Sequence, residues 1–183
     1  AFRAILKRRL ERDEPGAAEQ LHRAAARYLA SLGMIADAAE QALAGHDVDR
    51  AATLIADVAM PMIERGDLRT LSTWLDALPS TDEPVLLRAR AWVAMLTASD
   101  KAAATIAALD ASGDASEARA IDLVRRAYLD DAMADVVETC DQILAAPECV
   151  SDLAAAMVRA VLAQGALKRG LFGLVHEVVR PLL

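Results

Sequence analysis

The feature that most constrains the fold is a helical turn that returns at nearly equal intervals. Apolar residues recur every three to four positions almost throughout the 183-residue chain, which is the spacing of amphipathic helices. Short connections make consecutive helices antiparallel, so we expect the chain to form helix hairpins. Helices are predicted over residues 2–12, 16–32, 34–45, 48–65, 67–78, 83–98, 100–110, 114–129, 132–145, 151–169 and 171–182.

The turns inside the predicted hairpins set the period. They fall at Gly33, Gly66, Ser99, Asp131 and Gly170, with separations of 33, 33, 32 and 39 residues. Glycine accepts the positive φ angle that often ends a helix, and a period near 34 is typical of tetratricopeptide (TPR) repeats. The sequence therefore predicts an all-α, right-handed superhelical stack of antiparallel hairpins, a TPR-like solenoid. A single helical bundle is the alternative, since any alanine-rich helical chain shows some regularity.

Composition and charge narrow the function classes. Apolar residues make up 55% of the chain and aromatic residues 3%, so the core must be built from small and aliphatic side chains. The net charge is −7, with +3 over residues 1–27 and −10 over the remainder. We expect no direct nucleic-acid contact by this segment. The basic start is better suited to contact a neighbouring domain, although binding to nucleic acid or another anion is an alternative.

The sequence offers no membrane span and no disulfide scaffold. No stretch approaches about 18 uncharged apolar residues. Cys140 and Cys149 are the only cysteines, and buried thiols in a reducing cytosol are the expected reading. A cytoplasmic location is predicted. The spacing of the two cysteines indicates no role for their thiols.

No catalytic, cofactor-binding or metal-ligating residue is predicted. The histidines, His22, His46 and His176, lie at no metal-ligand spacing with cysteines or carboxylates. A phosphate-binding loop and a nucleophile elbow are both missing from the sequence. We therefore expect this segment not to be an enzyme.

A candidate binding surface follows from the repeat register. In helix-hairpin solenoids the first helix of each pair lines the concave face, where such proteins bind their partners. The residues that this register places on that face, as a ligand or partner surface, are Arg125, Tyr128, Gln164 and Lys168. Trp74 and Trp92 flank the turn at Pro79 and are expected to pin hairpins, with ligand stacking as the alternative for Trp92.

Several motifs between residues 2 and 95 form one arrangement. They are Leu21-His22-Arg23-Ala24-Ala25-Ala26-Arg27-Tyr28, then Gly33, then Ala38-Ala39-Glu40-Gln41-Ala42-Leu43, and finally Trp74-Leu75-Asp76-Ala77-Leu78-Pro79. This run resembles the middle of MalT-like transcription regulators, the large ATP-binding group with a LuxR-type DNA-binding end. Residues 96–183 match that group only as generic helical repeats.

The resemblance implies a segment of a larger regulator. Residues 1–14 would be the tail of a winged-helix part, residues 16–80 an arm of two TPR-like hairpins, and residues 81–183 the start of a TPR-like sensor. The apolar ends at Ala1 and Leu183 agree with a fragment cut on both sides. The ATP-binding and DNA-binding motifs have no counterpart here, so ATP would bind elsewhere in the parent.

The resemblance also implies the partners. They would be a small-molecule inducer or a regulatory protein, the adjoining ATPase and DNA-binding modules of the same chain, and possible further copies through self-association. A stand-alone TPR-like adaptor for protein–protein interaction is the alternative, since it needs only the 33-residue period.

Overall fold

The computed structural model describes residues 12, 14, 16–80, 82–130, 137–146 and 149–180. Within these ranges the fold is all-α and contains no strand. The helices are α1 (Ala17–Ser31), α2 (Ile35–Ala44), α3 (Val48–Arg65), α4 (Leu68–Ala77), α5 (Pro84–Leu96), α6 (Ala102–Ala111), α7 (Ala115–Tyr128), α8 (Val137–Leu144), α9 (Asp152–Lys168) and α10 (Phe172–Val179). The all-α prediction is confirmed. The helix predicted over 2–12 lies outside the described residues, apart from Arg12.

The chain divides into two compact units, Ala1–Thr81 and Asp82–Leu183. In the first unit, α1 packs on α2, α2 on α3 and α3 on α4, and α2 also contacts α4. The core of this unit depends on alanine, because Ala26, Ala38, Ala42 and Ala51 are all fully buried. Such small side chains let neighbouring helices approach closely.

Helix α1 lies very close to Gly45, just after α2. A Cβ atom at this position would lie 2.9 Å from Arg23 Cγ and 3.1 Å from the Glu19 carbonyl oxygen on α1. The Arg23 Nε also donates a 2.7 Å hydrogen bond to the Gly45 carbonyl. Glycine is therefore required here by the proximity of α1.

The second unit contains α5 to α10. Each helix packs on the next in sequence, and α5 also contacts α7, which in turn contacts α9. Contacts therefore link α5, α7 and α9 in a row. The largest fully buried side chains of this unit are Trp92, Leu86, Leu109, Ile121, Leu123, Leu162, Glu117, Val124 and Val158.

The predicted turns are largely found. Gly33, Gly66 and Gly170 have positive φ angles of 75°, 82° and 70°. The third turn is shifted by one residue, since the left-handed position is Ala98, at φ 51°, and not Ser99. Helix α5 ends at Leu96, and the Ser99 amide donates back to the Ala94 carbonyl at 2.8 Å, which places the left-handed residue at position 98. Asp131 lies outside the described residues.

Among the described helices, none is both long and apolar enough to cross a membrane.

Candidate functional site

The four residues predicted to form a binding surface lie on two helices that pack together. Arg125 and Tyr128 are near the C-terminal end of α7, and Gln164 and Lys168 are near the C-terminal end of α9. Tyr128 is 45% exposed, and Gln164 and Lys168 are also exposed. Three of the four side chains are therefore open to solvent.

Arg125 is engaged by two carboxylates. Its Nε and Nη2 atoms donate to Asp122 Oδ1 at 3.0 and 2.9 Å, and its Nη1 atom donates to Asp130 Oδ2 at 2.9 Å. These hydrogen bonds, that of Asp122 first, raise the pKa of Arg125. An anionic ligand at Arg125 must compete with carboxylates that already hold the guanidinium, so this residue is the least available of the four.

Sequence reasoning missed a cluster in the second unit that is built around one buried carboxylate. Glu117 on α7 is fully buried. Its Oε1 atom accepts hydrogen bonds from Trp92 Nε1 on α5 at 2.8 Å and from Ser151 Oγ at 2.6 Å. Its Oε2 atom accepts from the Ser151 backbone N–H at 2.7 Å. We refer to Trp92, Glu117 and Ser151 as the Glu117 cluster.

In the Glu117 cluster, one carboxylate on α7 is hydrogen-bonded to α5 and to the start of α9. Ser151 is the N-cap of α9, and its Oγ atom also accepts from the Ala154 amide at 3.1 Å. The carboxylate therefore sits at a helix N-terminus, where the helix dipole favours negative charge. Hydrogen bonds to an ionised acceptor are stronger than neutral ones, so the cluster fixes α5, α7 and α9 in register.

The ligand-stacking alternative for Trp92 is wrong. The Trp92 side chain has no exposed surface, and its only polar atom is bonded to Glu117. An indole enclosed in this way offers no face to a ligand. Trp92 acts instead as a packing residue that supplies a hydrogen-bond donor to the core.

An ion pair also joins α5 to the start of α7. Arg88 donates from Nη2 and Nε to Asp114 Oδ2 at 2.6 and 3.1 Å. Both side chains are partly shielded, with 30% and 18% of their surfaces exposed. This pair and the Glu117 cluster both hold α7 against α5.

The two cysteines occupy different environments. Cys140 on α8 is buried, whereas Cys149 in the connection to α9 is exposed. The expectation of two buried thiols is therefore correct for Cys140 and wrong for Cys149, because Cys149 lies at an exposed position between α8 and α9. Burial, with a smaller contribution from Asp141, raises the pKa of Cys140 to about 12.

Within the described part of the chain, no group of three or more His, Cys, Asp or Glu side chains is arranged to hold a metal ion. His22 is engaged through its Nδ1 atom, which lies 2.8 Å from Gln41 Oε1. Comparisons with protein-family models, with curated proteins and with solved structures give no match to this chain.

Proposed function

We propose that this chain is a non-catalytic, TPR-like sensor and coupling segment of an ATP-dependent LuxR-type transcriptional regulator, which binds an inducer or a regulatory protein. The observation that carries the proposal is the row of α5, α7 and α9, each packed on the next, with α6 and α8 in contact with the helices on both sides. Hairpins that stack in this way contact their neighbours in sequence and present extended binding surfaces. The motifs between residues 2 and 95 supply the link to the regulator family.

The partner surface in this proposal lies at the C-terminal ends of α7 and α9. Lys168 and Gln164 offer exposed donors, and Tyr128 adds an exposed aromatic ring with a phenolic hydroxyl. Desolvation raises the pKa of Tyr128, so this hydroxyl stays protonated at neutral pH. Arg125 contributes by exchanging Asp122 or Asp130 for an anionic group of the partner.

Coupling in this proposal runs through the tethered helices. A ligand that moves α7 or α9 must act on α5 as well, because the Glu117 cluster bonds all three. The ATP-binding and DNA-binding modules would belong to the parent protein, in the cytoplasm, and ATP would not contact this segment. Self-association of the parent protein would then depend on whether the inducer is bound.

The reading frame around this segment provides the decisive test. We expect a phosphate-binding loop upstream and a helix-turn-helix downstream. A complete frame with neither motif would overturn the assignment to this regulator class.

The binding surface is tested by ligand discovery and substitution. A thermal-shift screen with small metabolites should reveal compounds that raise the unfolding temperature, because binding to the folded state stabilises it by mass action. For a compound that binds at this surface, the Arg125→Ala/Lys168→Ala double variant is expected to have an affinity that is lower by about tenfold or more. Lys101→Ala is the matched control, since Lys101 is exposed outside this surface. If the double variant bound every hit with unchanged affinity, the assignment of this partner surface would be overturned.

A stand-alone TPR-like adaptor is the second candidate, and one observation favours it. Large apolar side chains are exposed around the α9–α10 turn, which is typical of protein contact sites. They are Leu167, Leu171 and Phe172, at 54%, 49% and 70% exposure. An adaptor predicts that the 183-residue chain alone forms a stable complex with a partner protein, whereas a sensor segment needs its parent modules for output.

A further inference from the structure

A cavity of about 180 Å³ lies between α7, α8 and the residues Ala146, Cys149 and Val150. It is separate from the surface formed by Arg125, Tyr128, Gln164 and Lys168, none of which lines it. Its wall combines polar and aliphatic side chains. The lining residues that matter below are Ser116, Arg119, Gln142, Ile143, Cys149 and Val150.

Arg119 dominates the electrostatics of this cavity. Among the described residues that line it, Arg119 alone carries a formal charge. Arg88 and Arg125 are held by aspartates at 2.6 to 3.1 Å. The ion pairs found among the described residues do not include Arg119, which also lines a neighbouring groove with Asp110 and Asp122. Guanidinium groups bind carboxylates through paired hydrogen bonds. An acidic ligand therefore gains an ion pair here without displacing one within the described residues.

The size and the remaining wall restrict the ligand further. A water molecule takes up about 30 Å³ in the liquid, so the cavity holds about six waters, or a molecule of roughly six to nine non-hydrogen atoms. Ile143 and Val150 present aliphatic surface that suits a short hydrocarbon body. Ser116 and Gln142 can hydrogen-bond the second carboxylate oxygen. Because Arg119 is the one cation in the described lining, the cavity matches a ligand with one carboxylate.

We propose that this cavity is the inducer site and that it takes a small monocarboxylic acid with a short aliphatic body, whose carboxylate pairs with Arg119. The assignment rests on the proposed sensor function, because it names the ligand class of that sensor. The partner surface on α7 and α9 then serves protein contacts.

The position of the cavity links the ligand to the Glu117 cluster. Ser116 and Val150 line the cavity, and the next residues in the chain are Glu117 and Ser151. A ligand packed against Ser116 and Val150 therefore acts on both halves of this hydrogen-bonded pair. Because Trp92 donates to the same carboxylate, its fluorescence reports occupancy of the cavity.

The experiment uses the 183-residue chain with Trp74→Phe, so that Trp92 is the remaining tryptophan. Butyrate, isovalerate and hexanoate are titrated against it, each beside its primary amide, with Trp92 emission and thermal stability as readouts. We expect saturable binding of at least one acid with a dissociation constant of about 1 mM or tighter, in line with small ligands of this size. The matched amide should bind at least about tenfold more weakly, since it lacks the charge.

Substitutions then locate the site. Arg119→Gln should weaken acid binding by about tenfold or more, and Arg119→Lys should restore part of it through its charge. Arg126→Gln, on the same helix but outside the cavity lining, is the control and should bind like the parent chain. Arg119 is exposed, so these variants are expected to fold, which far-UV circular dichroism checks.

Two results would overturn the assignment: no acid binding at about 10 mM, well above the expected dissociation constant, or equal affinity in the parent chain and Arg119→Gln. Neither result affects the proposed sensor function, which is tested by the modules encoded on either side of this segment.

Discussion

Replacing Glu117 by glutamine alters one atom of a fully buried group and breaks a defined hydrogen bond. The carboxylate accepts N–H donors from Trp92 on Oε1 and from Ser151 on Oε2. An amide retains one acceptor oxygen, so one of these N–H groups must face an NH₂ group. A buried donor that loses its acceptor costs about 1–3 kcal/mol. We therefore expect Glu117→Gln to lower the free energy of unfolding of the second unit by about 2 kcal/mol.

Glu117→Ala extends the same reasoning. Both the Trp92 and the Ser151 N–H groups lose their acceptor, and the removed side chain leaves a void in the core. The expected loss is about 4 kcal/mol, the sum of two orphaned donors at mid-range. That value lies near the upper end of the effects of single substitutions.

Urea unfolding measures both variants. In the Trp74→Phe background Trp92 emission follows the second unit, and far-UV circular dichroism follows helix content. With a slope of about 2 kcal/mol per molar urea, a 2 kcal/mol loss lowers the midpoint by about 1 M. Glu177→Gln, on the exposed side of α10, is the control and should change stability by less than about 0.5 kcal/mol. Unchanged midpoints for both Glu117 variants would refute the role of the cluster.

Two further predictions concern a thiol and a glycine. Iodoacetamide at neutral pH should label Cys149 in the folded chain and Cys140 only after denaturation, as read by mass spectrometry; the reverse order would contradict the burial of Cys140. Burial raises the pKa of Cys140 from 9.0 to about 12, so its neutral thiol stabilises the fold below pH 9.0, and this contribution is lost as the pH rises toward 12. Gly45→Ala should destabilise the first unit by about 1–3 kcal/mol through the clash with Arg23, whereas Gly173→Ala, which meets nothing within 4 Å, should be nearly neutral in thermal unfolding.

The helices could be predicted closely from local pattern. The helix predicted over 48–65 is found at Val48–Arg65, and that over 16–32 is found at Ala17–Ser31. Glycine at positions 33, 66 and 170 also marked the left-handed turns correctly. Ala98 could not be anticipated, because alanine disfavours positive φ angles and adopts one here only where α5 ends and the chain must reverse.

The candidate site was less predictable, because its contacts are non-local. Arg125 was predicted to lie on a ligand or partner surface, and the structure adds that Asp130, beyond the end of α7, folds back to pair with it. Glu117 resembles any solvent-exposed helical glutamate in the sequence. Its burial becomes visible only when Trp92 and Ser151, which lie 25 and 34 residues away in the chain, are brought to it.

Local sequence pattern was sufficient to predict the all-α class, most helix boundaries and most of the turn positions. These depend on the period of apolar residues and on backbone preferences that act within a few residues. Contacts between separate helices set which charges are buried, which are paired and where a cavity remains. The burial of Glu117, the pairing of Arg125 and the environment of Arg119 each depend on donors, acceptors and walls from separate helices, whose distances no local pattern encodes.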